Sequence, residues 1–151
     1  MSSSTGRFLS PPDNLPTIDL IRRTTIFLAA QEKEHAERVG LNVTAIRALG
    51  LIIEADAGIE AFSPRALAGV LDVSTASMTA ITDRLEDAGL VERRPNVADR
   101  RKICLHPTQR GSTAHDHLRK ELETSVSTGL AVLAEDEHQA FRKGLTALSR
   151  L

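Results

Sequence analysis

Apolar residues recur at intervals of three or four along most of the chain, a spacing typical of helices with one buried face. The first such stretch covers residues 15–39 and ends at Gly40. Asn42 or Thr44 can cap a second helix, which ends before a turn signal at residues 56–58. The beginning of the chain therefore predicts two amphipathic helices.

The next two helices are separated by a very short break. Ser63 and Pro64 form a strong start signal, because the serine hydroxyl can accept a hydrogen bond from a free helix amide and proline has no amide to satisfy. This short helix ends after residue 71. Ser74 or Thr75 then caps a further helix, which Gly89 stops. Two helices joined so briefly predict a helix-turn-helix.

Beyond Gly89 the apolar pattern alternates. Residues 90–94 and 101–105 are predicted to form two short strands with turn-forming residues between them. Pro107 and Gly111 are expected to close this hairpin. The sequence thus places a β-hairpin directly after the helix-turn-helix.

The helical spacing returns in the last third of the chain. Ser112 or Thr113 is expected to begin a long helix, which Gly129 interrupts but need not end. A final helix covers residues 135–151 and carries Phe141, Leu145 and Leu148 on one side. The predicted fold is mainly α with a small β-hairpin.

The helices at the two ends of the chain carry more apolar surface than the rest of the chain can bury. The helices at residues 15–40 and 112–151 carry apolar stripes that the central region, residues 41–111, has little surface to cover. Symmetric pairing buries such stripes in one interface, so a second copy of the chain is expected. Residues 1–14 are rich in Ser and Pro and are predicted to be a flexible tail.

Charge and composition exclude several classes of protein. The chain has 151 residues with 19 Lys and Arg against 20 Asp and Glu, so a wholly basic, histone-like protein is excluded and nucleic-acid binding must depend on local charge. One cysteine cannot form an internal disulfide, and residues 1–14 lack the apolar run of a signal peptide, so we expect a cytoplasmic protein. The apolar stretch at residues 49–53 is far shorter than the roughly 20 residues of a membrane-spanning helix.

The second helix of the helix-turn-helix has two different sides. One side, which is expected to face the core, carries Ser74, Met78, Ile81, Leu85 and Ala88. The opposite side is small and polar, and such a helix can approach the floor of a DNA major groove. It comprises Ala76, Thr79, Ala80 and Asp83, flanked by Ser77 and Arg84. The alternative is an ordinary solvated helix face, which composition alone favours.

The hairpin concentrates positive charge. Its segment from residue 93 to 110 contains one acidic residue, Asp99, against six basic ones: Arg93, Arg94, Arg100, Arg101, Lys102 and Arg110. An arginine at the tip of a projecting hairpin can enter the minor groove, and Asp99 can hold its guanidinium through a charge-assisted pair. The alternative is a solubilising turn with an incidental ion pair.

The block of residues 74–111 closely resembles the MarR family of bacterial winged helix-turn-helix transcriptional regulators. The matching segments are DRLE at 83–86, GLVERRP at 89–95, DRR at 99–101 and PTQRG at 107–111. The resemblance implies a homodimer in which the terminal helices form the dimer body and each winged unit reads half of a pseudo-palindromic operator. It also implies that DNA is released when a small phenolic or other aromatic effector binds between the two regions.

Carried over by position, the resemblance assigns the DNA-binding residues. The second helix of the helix-turn-helix is the recognition helix of this family, and the hairpin is its wing. The assigned residues are Ser74, Thr75, Ser77, Thr79 and Arg84 on the recognition helix, and Asp99, Arg100 and Arg101 on the wing. Arg101 corresponds to the minor-groove arginine and Asp99 to its support. Two departures limit the carry-over. Ala80 stands where many members place a long or polar residue, and His106 replaces a hydrophobic or polar residue.

Other candidate sites have weaker patterns. Cys104 and His106 lie two apart on a strand, which suggests a thiolate switch or a nucleophile and base; the alternative is a small strand side chain. His115 and His117 face apart on a helix, and His35 with Glu34 would have to contribute across the fold, so surface histidines are favoured over a metal site. Motifs of phosphate loops, zinc proteases and hydrolases are absent, and we expect no catalytic residue, metal or cofactor.

Two functional hypotheses follow. The first is a ligand-responsive repressor that binds double-stranded DNA as a homodimer. The second is a dimeric small-molecule or partner-binding module that kept the winged fold without operator specificity. With four Phe and neither Trp nor Tyr, an effector pocket would be aliphatic and would suit an apolar or amphipathic compound.

Overall fold

The predicted element order is present in the structure. A computed structural model describes residues 14–56, 61–96 and 99–150, which form helices and one antiparallel hairpin. The elements are α1 (Thr17–Arg38), α2 (Val43–Asp56), α3 (Pro64–Val70), α4 (Thr75–Asp87), β1 (Val91–Pro95), β2 (Ile103–Pro107), α5 (Gln109–Leu130) and α6 (Glu135–Leu148). The mainly α, winged helix-turn-helix fold is thereby confirmed.

The predicted tail, apart from Asn14, lies outside the described residues. No helix in the described part is long and apolar enough to cross a membrane.

Local hydrogen bonds decide where the helices begin. The side chain of Asn42, not Thr44, caps α2 by accepting a hydrogen bond from the amide of Ala45 at 2.8 Å. Ser74, not Thr75, caps α4 by the same geometry. Capping side chains satisfy amides that the first helical turn leaves free, so these boundaries are encoded within a few residues.

The turn between α3 and α4 depends on one residue in the left-handed region. Asp72 has φ of +51°, and the amide of Val73 donates to the carbonyl of Ala68 at 3.1 Å. This hydrogen bond ends α3 in the manner of a Schellman motif, with aspartate where glycine is commonest. The chain thus reverses within four residues and sets α4 against α3.

The start of α5 was predicted wrongly. The helix begins at Gln109 rather than at residue 112 or 113, because Thr108 caps it by accepting from the amide of Gly111 at 3.0 Å. Gly111 therefore lies in the first helical turn and does not close the hairpin. A Cβ atom there would lie 2.0 Å from the carbonyl oxygen of Leu90, so only glycine permits this approach.

The hairpin is shifted along the chain from its prediction. β1 and β2 pair from Val91 opposite Pro107 to Pro95 opposite Ile103. Leu105 is buried, as alternation predicts, whereas Ile103 is exposed. Ile103 pairs with the last residue of β1, at the end of the hairpin that projects beyond the core.

The main core joins α2, α3, α4 and the base of the hairpin. Met78 and Leu85, on the predicted inner side of α4, are fully buried in it. A smaller cluster of Ala36, Ile46 and Leu118 connects α1, α2 and α5. α6 has no buried residue. This arrangement anchors one face of α4 and leaves the other directed outward.

Candidate nucleic-acid interface

The outer face of α4 is exposed and free of bulky side chains. Its exposed residues are Ser74, Thr75, Ala76, Ser77, Thr79, Ala80, Asp83 and Arg84. The sequence predicts this small, polar surface except at Ser74, for which the expected inner position is wrong. Ser74 is exposed because it precedes α4 as its N-cap. A helix with such a surface can lie close to base edges in a major groove.

The hydroxyl groups on this face are partly engaged within the helix. Oγ of Ser74 accepts from the amide of Ser77 at 3.1 Å, and the two serine hydroxyls lie 2.8 Å apart. Thr79 donates to the carbonyl of Thr75 at 2.9 Å. Because a hydroxyl has one hydrogen and two lone pairs, Thr79 keeps acceptor capacity toward solvent or a base. Ser74 serves mainly as the helix cap, so Ser77 and Thr79 are the better candidates for base contacts.

Arg93 has a role that the sequence interpretation missed. We expected it to belong to the basic surface, but its guanidinium donates to Thr82 at 2.9 Å and Asp83 at 2.6 Å, and also to Glu86. The pKa of Arg93 is raised above its ordinary value, and the hydrogen bond with Asp83 is the largest cause. The sequence signal for this pairing is the spacing of Asp83 and Glu86, which lie three residues apart and therefore share one helix face. Only the return of the hairpin brings Arg93 to that face.

Ion pairing reduces the predicted basic surface to a smaller set. Arg94 pairs with Glu92, and Lys102 lies 3.8 Å from Asp99. Together with Arg93, half of the six basic residues therefore have acidic partners. Within the described residues, Arg100, Arg101 and Arg110 are exposed and form no ion pair. These three arginines are the cations available to a phosphate or a groove.

Asp99 does not hold the guanidinium of Arg101, contrary to expectation. Its Oδ1 accepts from the main-chain amide of Arg101 at 3.1 Å, and its own amide donates to Asn96 at 3.0 Å. Aspartate commonly bonds the amide two residues on and so shapes a turn. Asp99 therefore folds the tip of the hairpin and leaves the Arg101 side chain to project.

Cys104 and His106 have different partners. The buried thiol of Cys104 accepts from the side-chain amide of Asn96 at 3.3 Å. Nδ1 of His106 lies 2.7 Å from Oδ1 of Asp56. This geometry favours structural roles over a nucleophile and base.

The histidines considered for a metal site are also dispersed. Nδ1 of His35 lies 3.4 Å from Glu121, not beside Glu34, and His117 is exposed on α5. In the part of the chain that the structure describes, no three His, Cys, Asp or Glu side chains are grouped to hold a metal ion.

An apolar groove lies between α1, α2 and α5, with a volume of about 870 Å³. Leu28, Leu51, Leu122 and Val126 line it, while charged side chains such as Arg47 stand among the other lining residues. None of its described lining residues is Phe, as expected for an aliphatic pocket. Its volume falls within the range of small-molecule sites in proteins, roughly 300–1,000 Å³.

Comparison with known proteins finds a sequence family that is similar to the middle of the chain. The model of the MarR family matches residues 39–102, from the end of α1 to the hairpin. The uncharacterized HTH-type transcriptional regulator YfiV of Bacillus subtilis is 30% identical over 84 residues, which are 56% of this chain and 52% of that protein. A putative transcriptional regulatory protein for the hcr operon of Thauera aromatica is 40% identical over 52 residues, 34% of this chain and 31% of that protein. The matched segment thus spans about half or less of each relative.

Solved structures share the fold over most of the chain. A crystal structure of MarR superposes with a TM-score of 0.72 at 20% identity, covering 94% of each chain. A Staphylococcus aureus MepR mutant bound to an oligodeoxyribonucleotide gives 0.63 at 15% identity, covering 90% of this chain and 97% of that one. CouR of Rhodococcus jostii RHA1 bound to p-coumaroyl-CoA gives 0.64 at 20% identity, covering 85% and 88%. At these identities the likeness shows a common fold.

Proposed function

We propose that this chain is a member of the MarR family and a sequence-specific regulator of transcription that binds double-stranded DNA as a homodimer. The observation that carries the proposal is the placement of two surfaces. The bare outer face of α4 lies beside a hairpin whose Arg100 and Arg101 have no acidic partner in the described chain. A helix and a cationic finger so placed suit the major groove and the adjoining minor groove of one duplex.

Each predicted DNA-binding residue has a role in this proposal. Ser77 and Thr79 contact base edges, and Ser74 and Thr75 lie at the helix terminus that approaches the backbone. Arg84 contacts a phosphate. Arg101 enters the minor groove. Asp99 and Arg100 complete the wing, since Asp99 shapes its tip and Arg100 adds phosphate affinity.

The dimer is proposed from the terminal helices. Ile18 and Ile26 of α1 are half or more exposed, and Phe141, Leu145 and Leu148 of α6 form an exposed row. Apolar side chains gathered on one helix face favour association. In a symmetric dimer residues 15–40 and 112–151 cover one another, and two copies of residues 41–111 read the halves of a pseudo-palindromic operator.

We further propose that the protein is a repressor released from DNA by a small effector. The groove between α1, α2 and α5 separates the dimer helices from the DNA-binding unit, so a molecule bound there can change the distance between two α4 helices. Its aliphatic lining favours an apolar or amphipathic compound. The oligodeoxyribonucleotide bound by the MepR mutant and the p-coumaroyl-CoA bound by CouR support DNA and effector binding in this fold.

The decisive experiment is selection of genomic DNA fragments by the purified full chain, followed by affinity measurements over a range of salt concentrations. We expect Arg101→Ala to weaken binding to the selected site by about 1–3 kcal/mol and to reduce the salt slope by about one. Arg142→Ala removes the same charge from exposed α6 and is the matched control, with unchanged affinity expected.

Two results would contradict the proposal. If Arg101→Ala binds the selected site as tightly as the parent chain, the wing does not contact DNA as described. If no fragment is selected at any salt concentration, the chain is instead a dimeric ligand-binding or partner-binding module.

A further inference from the structure

Arg93 connects the wing to the recognition helix by directional bonds. It is the third residue of β1, and its acceptors Thr82, Asp83 and Glu86 lie along one side of α4. Thr82 is fully buried and itself donates to the carbonyl of Thr79 at 3.0 Å. The contacts therefore run from the wing strand, through a buried hydroxyl, to a residue on the proposed DNA face.

The remaining contacts between the wing and α4 are less directional. Leu85, Val91 and Leu105 share the main core and hold the wing base against α4 by apolar packing. Apolar packing opposes separation but discriminates weakly between small rotations, whereas the planar guanidinium fork requires its acceptors at defined angles. The angle between wing and helix thus depends on Arg93.

We propose that Arg93 is a positioning residue for DNA recognition, which sets the wing against α4 so that both reach adjacent grooves without touching DNA itself. This inference rests on the proposed DNA-binding function. The side chain of Arg93 is 29% exposed, and its donors are directed at α4. Its charge is offset by two carboxylates, so it offers a phosphate little attraction.

Charge-preserving substitution separates positioning from phosphate contact. Arg93→Lys keeps the positive charge but removes the planar set of guanidinium donors that bonds to α4. We expect about a tenfold or greater loss of affinity for the selected site, a change of less than about twofold for unrelated duplex DNA, and the salt slope of the parent chain. Arg94→Lys, on the same strand, is the matched control and is expected to leave all three quantities unchanged.

Removal of the carboxylates that accept from Arg93 gives a second test. Positioning and simple electrostatics predict opposite changes in affinity for the selected site. The double variant Asp83→Asn, Glu86→Gln removes two negative charges close to the DNA face. Simple electrostatics predicts tighter binding, whereas loss of positioning predicts weaker binding to the selected site. Circular dichroism of each variant identifies the folded samples, and either set of variants suffices if the other does not fold.

The outcomes are distinguishable. Arg93→Lys binding like the parent chain, or the double variant binding the selected site more tightly, would overturn the positioning role. A parent chain that selects no DNA would overturn the proposed function and this inference with it. Selective binding by the parent chain together with unaltered binding by Arg93→Lys would overturn the inference alone.

Discussion

Nδ1 of His106, in the second strand of the wing, lies 2.7 Å from Oδ1 of Asp56, the last residue of α2. The two residues are 50 positions apart, and both side chains are partly exposed. His106 departs from the residue type that the resembled family usually carries at this position. In the structure this histidine has a specific contact, because its hydrogen bond with Asp56 attaches the wing to α2.

A double-mutant cycle measures this attachment. His106→Ala and Asp56→Ala are each expected to lower the free energy of unfolding in urea, with a coupling of about 0.5–1 kcal/mol, because a partly exposed hydrogen bond contributes modestly. His117→Ala, an exposed histidine on α5, is the control. Additive single effects would show that the pair contributes no stability.

The dimer proposal predicts a strong effect at the exposed row of α6. Leu145 is 49% exposed in the single chain, and Leu145→Glu would place a charge in the buried dimer interface. We expect dimer affinity to fall about 100-fold or more, measured by sedimentation equilibrium. Gln139→Glu introduces the same charge on another side of α6 and is expected to leave the dimer intact. Equal sedimentation of parent and Leu145→Glu chains would place the interface elsewhere.

Two glycines of α5 are predicted to respond oppositely to alanine. A Cβ at Gly111 would lie 2.0 Å from the carbonyl oxygen of Leu90, while one at Gly129 meets no atom within 4 Å. Gly111→Ala should therefore destabilise the chain by about 3 kcal/mol, because the helix must move away from the wing base. Gly129→Ala should stabilise it by up to about 1 kcal/mol through helix propensity. Thermal and urea unfolding check both, and a tolerated Gly111→Ala would contradict the described close approach.

Acid should weaken the link between α1 and α5. Arg38 donates two hydrogen bonds to Glu121, and this bonding holds the pKa of Glu121 below its ordinary value of 4.5. A carboxyl whose pKa is lowered in the folded state stabilises the fold above its unfolded pKa and loses that contribution as pH falls through the folded value.

Glu121→Gln should accordingly lower stability at pH 7 by about 0.5–1 kcal/mol, a small value because the pair is half exposed and solvent screens it. The difference from the parent chain should shrink as pH falls below about 4.5 and the carboxyl becomes neutral. Urea unfolding at several pH values measures it, with Asp116→Asn, at an exposed position of the same helix, as a baseline. A stability difference that stays constant down to acidic pH would contradict the ion pair.

Features encoded within a few residues could be predicted well. The cap at Ser63 and the inner side of α4 at Met78 and Leu85 follow from local hydrogen bonding and a period of 3.6 residues. The caps at Asn42 and Ser74 were each predicted as one of two candidates. The beginning of α5 could not be predicted in this way. Thr108 caps it while also donating to the carbonyl of Gly89, and that second contact exists only after the hairpin has formed.

The order of the elements, the inner position of Met78 and Leu85 on α4 and the concentration of arginines after that helix follow from the order of amino acids alone. Helix and strand periodicity and turn chemistry act between near neighbours, so they can be recognised without the folded chain. Which arginines remain unpaired is set by the packing of the folded chain, because Arg93 turns back onto Asp83 and Glu86 whereas Arg101 is exposed. An ion pair forms where the folded chain brings opposite charges within a few ångströms, and that distance depends on how the hairpin packs on α4 rather than on spacing along the sequence.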